Sequence, residues 1–365
     1  MRILRRFLKG LGLTVLAAVL AGGIYQQIGT RIDARALPPP GRMVVVDGRR
    51  IHVLCTGAGE RTLVLDSGLA GWSTMWYRVQ PALAEHWRVC SLDRPGLGWS
   101  EAGGDAFDAA AAAAELSRIA DAARIARPFV YVGHSLGANF AQVYAALRPR
   151  EVEALVLIEP GDPKDLLEDF HGSRQQAMAL PACSARCVAS KIAGNLGIMR
   201  LLAHAIGAKS FAGDAPALAR YRAGIARSSL AGTAAAYLDA LPKTAFQCLD
   251  VRSFGALPVL TLATSAPRQP EGKETVQDVI AWRQVYLRHL AALAAKSSRG
   301  EGPIVIPDST HASVVLQEKP AAATVRAIEA FLARLPPPPA GATAGGPRTA
   351  QSAPPRWDDP RLMKP

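Results

Sequence analysis

The chain is 365 residues long and sets 42 Lys and Arg against 30 Asp and Glu, a formal charge of +12. With 49% apolar and 20% charged residues it is neither wholly disordered nor, with five Cys, a disulfide-built miniature scaffold. One stretch alone is apolar enough to span a bilayer, which excludes a polytopic membrane protein, and the scattered arginines make no stripe for nucleic acid.

Arg2, Arg5, Arg6 and Lys9 precede an uncharged run from Gly10 to Thr30 with its apolar heart at Leu11–Ile24. A signal peptide starts the same way, and Ala21, Gly22 and Gly23 would serve as its cleavage site. About 20 uncharged residues suffice to cross a ~30 Å hydrocarbon core as a helix, so the reading taken is an uncleaved membrane anchor over residues 1–30. The cationic end then lies in the cytoplasm. The rest of the chain is expected outside the inner membrane, in the periplasm or exterior.

From Arg42 onward apolar runs alternate with helical patterns. Met43–Val46 and Ile51–Cys55 flank Asp47-Gly48, a hairpin signal because both turn residues tolerate positive φ. Short strands are expected at Thr62–Leu65, Trp87–Ser91, Phe129–Val132, Ala154–Ile158, Pro258–Leu262 and Pro303–Ile306. Helices are expected at Ala106–Ile125, Ala138–Leu147, Val276–Ala295 and Ala321–Leu335. A hairpin followed by strand–helix repeats implies a mostly parallel sheet covered on both faces. Residues 161–257 break the rhythm with helices and loops, and read as an inserted cap over one edge of the sheet. Residues 336–365, rich in Pro and Gly, read as a disordered tail.

Within the segment Phe129–Ala138 a buried strand runs into Gly133-His134-Ser135-Leu136-Gly137 and a helix starts at once. A strand-to-helix turn this sharp leaves no room for side chains two residues either side of Ser135. It lifts the Ser135 hydroxyl clear of the sheet and puts the Leu136 N–H at a helix N-terminus, where it can donate to an oxyanion.

This elbow, the strand order and further segments resemble the α/β-hydrolase superfamily over residues 42–335, and more narrowly the bacterial membrane-anchored α/β-hydrolases. The narrower resemblance rests on Tyr25-Gln26, Pro38–Gly41, Ile51–Cys55 and Val89–Ser100. It implies a mostly parallel eight-stranded sheet with an inserted helical cap. It also implies that the Leu69 N–H, in Asp66-Ser67-Gly68-Leu69-Ala70-Gly71, is the second oxyanion donor; relatives often have His-Gly at Ser67-Gly68, a departure that spares a main-chain donor. The loop Asp93–Ser100 resembles a structural turn in which Gly96 and Gly98 permit the bend and Ser100 caps the next helix.

The hydroxyl needs a base, and His311 leaves a predicted strand where the superfamily holds its catalytic His. His134 is expected to point away from the hydroxyl and to pack. His52, His86, His171, His204 and His289 have no such frame. The acid that orients His311 usually follows the seventh strand, where no carboxylate precedes Glu271. Some relatives carry it after the sixth strand, here Glu159, which leaves the strand directly; Asp162 and Glu271 remain open alternatives. The implied strand order also makes Cys55 and Cys90 cross-strand neighbours and predicts a disulfide in an oxidising compartment. Two buried free thiols are the alternative. The pairing of Cys183, Cys187 and Cys248 stays open.

Cys183 and Cys187 have no second ligand pair for zinc, and the glycine-rich turns lack a dinucleotide fingerprint, so no metal or cofactor is expected. The expected function is hydrolysis of a small-molecule carboxylic ester through an acyl-enzyme on Ser135, with His311 as base and Glu159 as its orienting acid. Perhydrolysis on the same fold is one alternative. Epoxide opening and dehalogenation use an Asp nucleophile, which Ser135 argues against. A different class of reading is a catalytically inactive envelope protein that keeps the fold for binding. Phe211, Tyr221 and Tyr237 in the cap read as packing.

Overall fold

The computed structural model describes residues 2–104, 106–168, 170–205, 210–211, 213–266 and 274–337. The tail from residue 338 and the alternative acid Glu271 lie outside them. Eight strands form one sheet: β1 (Arg42–Val46), β2 (Arg49–Thr56), β3 (Thr62–Asp66), β4 (Arg88–Leu92), β5 (Phe129–His134), β6 (Val152–Ile158), β7 (Val259–Thr264) and β8 (Gly300–Ile306). Their spatial order is β1-β2-β4-β3-β5-β6-β7-β8, with β1–β2 and β2–β4 antiparallel and the rest parallel. This is the α/β-hydrolase fold.

The hairpin forms as the sequence implies: Asp47 and Gly48 adopt φ of 48° and 76° between paired Val46 and Arg49. The continuously apolar strands follow from burial on both faces. Leu63, Leu65, Val130, Val132, Val156 and Leu260 pack on one side, and Val64, Tyr131, Leu155, Leu157 and Val259 on the other.

Helix α1 (Arg2–Ala36) precedes the sheet, and α2 (Val79–Leu83) and α3 (Ala109–Ala122) follow β3 and β4. The elbow helix α4 (Leu136–Leu147) follows β5. Between β6 and β7 lies a wholly helical insertion of α5 (Arg174–Met178), α6 (Ala185–Asn195), α7 (Ile198–Leu202), α8 (Ala215–Ile225), α9 (Ser228–Asp239) and α10 (Leu241–Asp250). Then come α11 (Val276–Ala294), α12 (Ser313–Leu316) and α13 (Glu318–Leu332). Asp108 caps α3 through the N–H groups of Ala110 and Ala111. Ser100 caps no helix: its hydroxyl donates to the Asp93 carbonyl at 2.6 Å and accepts the His52 N–H, and α3 starts only at Ala109 behind Asp108.

Helix α1 runs past the uncharged stretch to Ala36, and by length and composition it could cross a membrane. Its last turns lie against the cap. The Gln26 side-chain amide, buried, donates to the Ala226 carbonyl at 2.8 Å, and Arg200 donates to Asp33 at 2.7 Å. A Cβ on Gly22 would stand 2.8 Å from the Leu196 carbonyl oxygen, so a larger residue there would force the two helices apart.

Cys55 and Cys90 are directly opposed in the β2–β4 ladder and form a disulfide. Cys183 and Cys187, the pair weighed for zinc, form a second one at the start of α6. Cys248 is left free and buried, its thiol pushed up to about 12 by burial. Replacing Cys55 and Cys90 together by Ala is expected to lower unfolding free energy by about 2–4 kcal/mol in denaturant titration. Tryptic mapping without reduction should recover the two segments as one linked peptide, and their recovery as separate thiols would contradict the pairing.

Candidate functional site

The site lies at the carboxyl edge of the parallel strands, where open α/β sheets hold their ligands. Four loops leave this edge with a non-glycine residue at positive φ: Ala70 after β3 (53°), Ser135 after β5 (53°), Glu159 after β6 (49°) and Asp308 after β8 (49°). Each such residue costs about 1–3 kcal/mol and persists only where its surroundings over-determine it. Their convergence on one edge marks a preorganised site.

The elbow is the tightest of these turns. Ser135 sits at φ 53°, ψ −125° between β5 and α4, with its N–H on the Ile158 carbonyl at 2.8 Å. A Cβ on Gly133 would lie 2.5 Å from the Gly137 carbonyl oxygen, and one on Gly137 would lie 2.4 Å from that of Asp66. Only glycine fits at either position, which is the physical content of the Gly-x-Ser-x-Gly pattern. Gly68 belongs to the same contact: a Cβ there would meet the Ser135 Cβ at 2.8 Å and Oγ at 3.2 Å. The Leu69 turn, closed by Gly71 N–H to the Gly68 carbonyl at 3.1 Å, therefore abuts the hydroxyl. The Leu136 N–H stands at the N-terminus of α4, where the helix dipole favours negative charge.

His311 follows β8 in a loop tied to the end of β7. Ser309 Oγ donates to the Ile306 carbonyl at 2.6 Å and accepts the Ser265 N–H at 3.1 Å, and the Ala266 N–H donates to the Ser309 carbonyl at 2.8 Å. This brings His311 Nδ1 to 3.4 Å from Glu159 Oε2 across a sequence gap of 152 residues. The other Glu159 oxygen accepts the Thr264 N–H at 2.7 Å, so the buried carboxylate is held from two sides. Asp162 faces elsewhere: one oxygen accepts the Lys164 N–H at 2.9 Å and the other stands 3.6 Å from His289 Nδ1. The His311 side chain is 56% exposed, open to an entering molecule.

His134 does more than pack. Its Nε2–H donates to the His311 carbonyl at 2.8 Å, and the two rings lie 4.8 Å apart. A carbonyl only accepts, so this bond sets the His134 tautomer and ties the His311 loop to the elbow. Burial, and secondarily the neighbouring His311, pushes its imidazole down to about 3.

The loop after β4 hides a residue that sequence reasoning passed over. Arg94, buried, donates to Asp66 at 3.0 Å, to the Ser67 carbonyl at 2.8 Å and to the Gly68 carbonyl. Its guanidinium lies 5.1 Å from the Phe140 ring centre and 5.0 Å from that of Tyr237. The Tyr131 hydroxyl donates to the second Asp66 oxygen at 2.9 Å. Arg94 thus grips the two carbonyls just before Leu69 and fixes the turn beside Ser135. A cation directly after a buried strand was the available signal. His52 also gains a frame: it accepts the Gly41 N–H on Nε2 and donates from Nδ1 to buried Asp93, both at 3.0 Å, away from the site. Phe211 and Tyr221 pack on each other with ring centres 4.6 Å apart, and Tyr237 on Arg94, as cap packing residues.

A family model of the alpha/beta hydrolase fold matches residues 61–182. A 2-hydroxy-6-oxononadienedioate/2-hydroxy-6-oxononatrienedioate hydrolase of Cupriavidus pinatubonensis is 33% identical over 121 residues, 31% of this chain and 40% of its own. The chain spans about half the length, or less, of the curated relatives it matches first. A thermophilic esterase from Thermogutta terrifontis superposes with TM-score 0.57 at 18% identity, covering 80% of this chain and 98% of that one. An enol-lactonase from Burkholderia xenovorans does so with TM-score 0.54 at 19% identity, covering 80% and 100%. At these identities the two structures speak for the fold.

The unfolded His134 imidazole titrates near 6.5 and the folded one near 3, so between these values the unfolded chain holds the extra proton. Its contribution to stability is complete above about pH 6.5 and is lost as pH falls toward 3. Thermal unfolding of His134→Gln, which keeps a donor for the His311 carbonyl, should therefore depend less on pH between about 4 and 6.5 than that of the wild type. Equal slopes would contradict this.

Proposed function

We propose that this α/β-hydrolase-fold protein is a serine hydrolase that cleaves carboxylic esters of small molecules through an acyl-enzyme. The observation that carries the reading is the strained Ser135 elbow set at the same sheet edge as the His311–Glu159 pair. Ser135 Oγ attacks the ester carbonyl carbon while His311 Nε2 takes its proton. The oxyanion that forms is held by the Leu136 and Leu69 N–H groups. The tetrahedral intermediate collapses with loss of the alcohol, which His311 protonates. Water, deprotonated by His311, then attacks the acyl carbon, and the acid leaves as Ser135 regains its proton. Glu159 keeps Nδ1–H directed and stabilises the imidazolium in both halves. The 3.4 Å separation suits this role, since such contacts shorten once substrate excludes water.

In the same proposal α1 remains attached as an anchor in the inner membrane, with the hydrolase domain in the periplasm or exterior. Its cationic start and its exposed apolar surface support that orientation.

A fluorophosphonate probe should label Ser135 in the folded full chain. Ser135→Ala should abolish labelling and lower nitrophenyl ester hydrolysis by about 10³–10⁶-fold with unchanged circular dichroism. Folded wild-type protein that resists the probe would point to the inactive binding protein instead. Glu159→Gln should cost about 10²–10⁴-fold and Asp162→Asn far less; the reverse pattern would move the acid to Asp162.

A further inference from the structure

Where α1 leaves its uncharged run, a cleft of about 90 Å³ opens between its last turns, the cap and the turn at Gly98-Trp99. Its wall includes Thr30, Asp33, Arg200, Arg220, Arg227 and Trp99. Three guanidiniums and one carboxylate line it. Arg200 is engaged by Asp33 at 2.7 Å and by the Gln26 side-chain oxygen at 3.1 Å. Arg220 and Arg227 have no hydrogen bond or ion pair from their side chains among the described residues. Arg220 is exposed, whereas Arg227 is half-buried, and burial draws its guanidinium below the usual arginine range against the opposing pull of Asp93, Asp33 and Glu101. A cation drawn partly out of water with no carboxylate in direct contact is costly, and an anion entering from outside would offset that cost.

The surroundings narrow the kind of anion. Ile198, Leu201 and Leu202 on α7 are exposed around Arg200, and α1 exposes Ile24, Ile28 and Ile32 nearby in sequence to the cleft residues Thr30 and Asp33. Arginines beside unpartnered apolar side chains suit a molecule with an anionic head and hydrocarbon tails. With α1 as a membrane anchor, the cleft also falls at the level where the apolar run ends at Thr30, the depth of lipid phosphates.

We propose that this cleft is a binding site for the phosphate headgroup of an anionic phospholipid. Arg220 and Arg227 grip the phosphate, and the acyl chains lie along α7 and α1. The lipid would fix the cap, and with it the mouth of the hydrolase, at a set height on the bilayer. The proposal rests on the anchor reading of α1.

The test uses the full chain purified in detergent and stripped of lipid, then titrated with dioleoylphosphatidylglycerol or dioleoylphosphatidylcholine and read by native mass spectrometry. One phosphatidylglycerol should be retained about tenfold or more tightly than phosphatidylcholine, and Arg220→Gln with Arg227→Gln should remove that preference. Ser135 labelling in the double variant should be unchanged, which shows that it folds. A preference that survives the double substitution would overturn the site, as would no preference at all. Calorimetry with inorganic phosphate separates the sources: phosphate alone binding as tightly as the lipid would make this a soluble-anion site and overturn the lipid assignment. Flotation on neutral phosphatidylcholine vesicles tests the anchor by itself. A chain that fails to float loses the anchor reading, whereas one that floats without preferring phosphatidylglycerol loses only the cleft.

Discussion

The close approach of three main-chain segments around Ser135 is the constraint on which the rest of the site depends. The β5–α4 turn comes so near the end of β3 that the Cβ positions of Gly137 and Gly68 are occupied by the facing segment, while that of Gly133 is filled by the start of α4 itself. This contact forces Ser135 to φ 53°, presents its hydroxyl above the sheet edge and leaves the Leu69 turn against it. The strain is sustained because β5 is central in the sheet, paired to β3 on one side and β6 on the other. A looser sheet would let the turn relax and lower the serine.

Around that contact, buried polar groups hold the loops in register. Arg94 ties the carbonyls of Ser67 and Gly68 to Asp66, His134 ties the elbow to the His311 backbone, and Glu159 bridges the ends of β6 and β7. Asn139 on α4 adds a two-way clamp on Gly161, accepting its N–H at 2.9 Å and donating to its carbonyl at 2.8 Å, where the chain departs for the cap. Each is a charged or polar side chain inside a low-dielectric region, so each is costly unless its partners are in place. The site is stiff because these networks are nearly complete. Openness is left to the His311 side chain and to the cap.

The cap and α1 form a second contact region, apart from the elbow. Gln26 and Arg200 join the helix to the cap. The cleft between them sets Arg220 and Arg227, which make no side-chain hydrogen bond or ion pair among the described residues, near exposed apolar side chains.

Much of this was legible in consecutive residues. The Asp47-Gly48 hairpin, the apolar strands and the two glycines flanking Ser135 express steric limits that act within a few positions, so the chain order alone determines them. His311 stood out because it lies in the loop that leaves the last strand. Only the tertiary structure placed Glu159 rather than Asp162 beside His311, since both carboxylates follow β6 and the choice turns on which way a positive-φ residue directs its side chain. It likewise decided the role of Arg94, whose partners lie more than twenty residues earlier, the pairing of Cys183 with Cys187, and the docking of α1 on the cap. Contacts between segments distant in sequence follow from strand order and from loops closing over one edge, and no local pattern encodes the distance between two such loops.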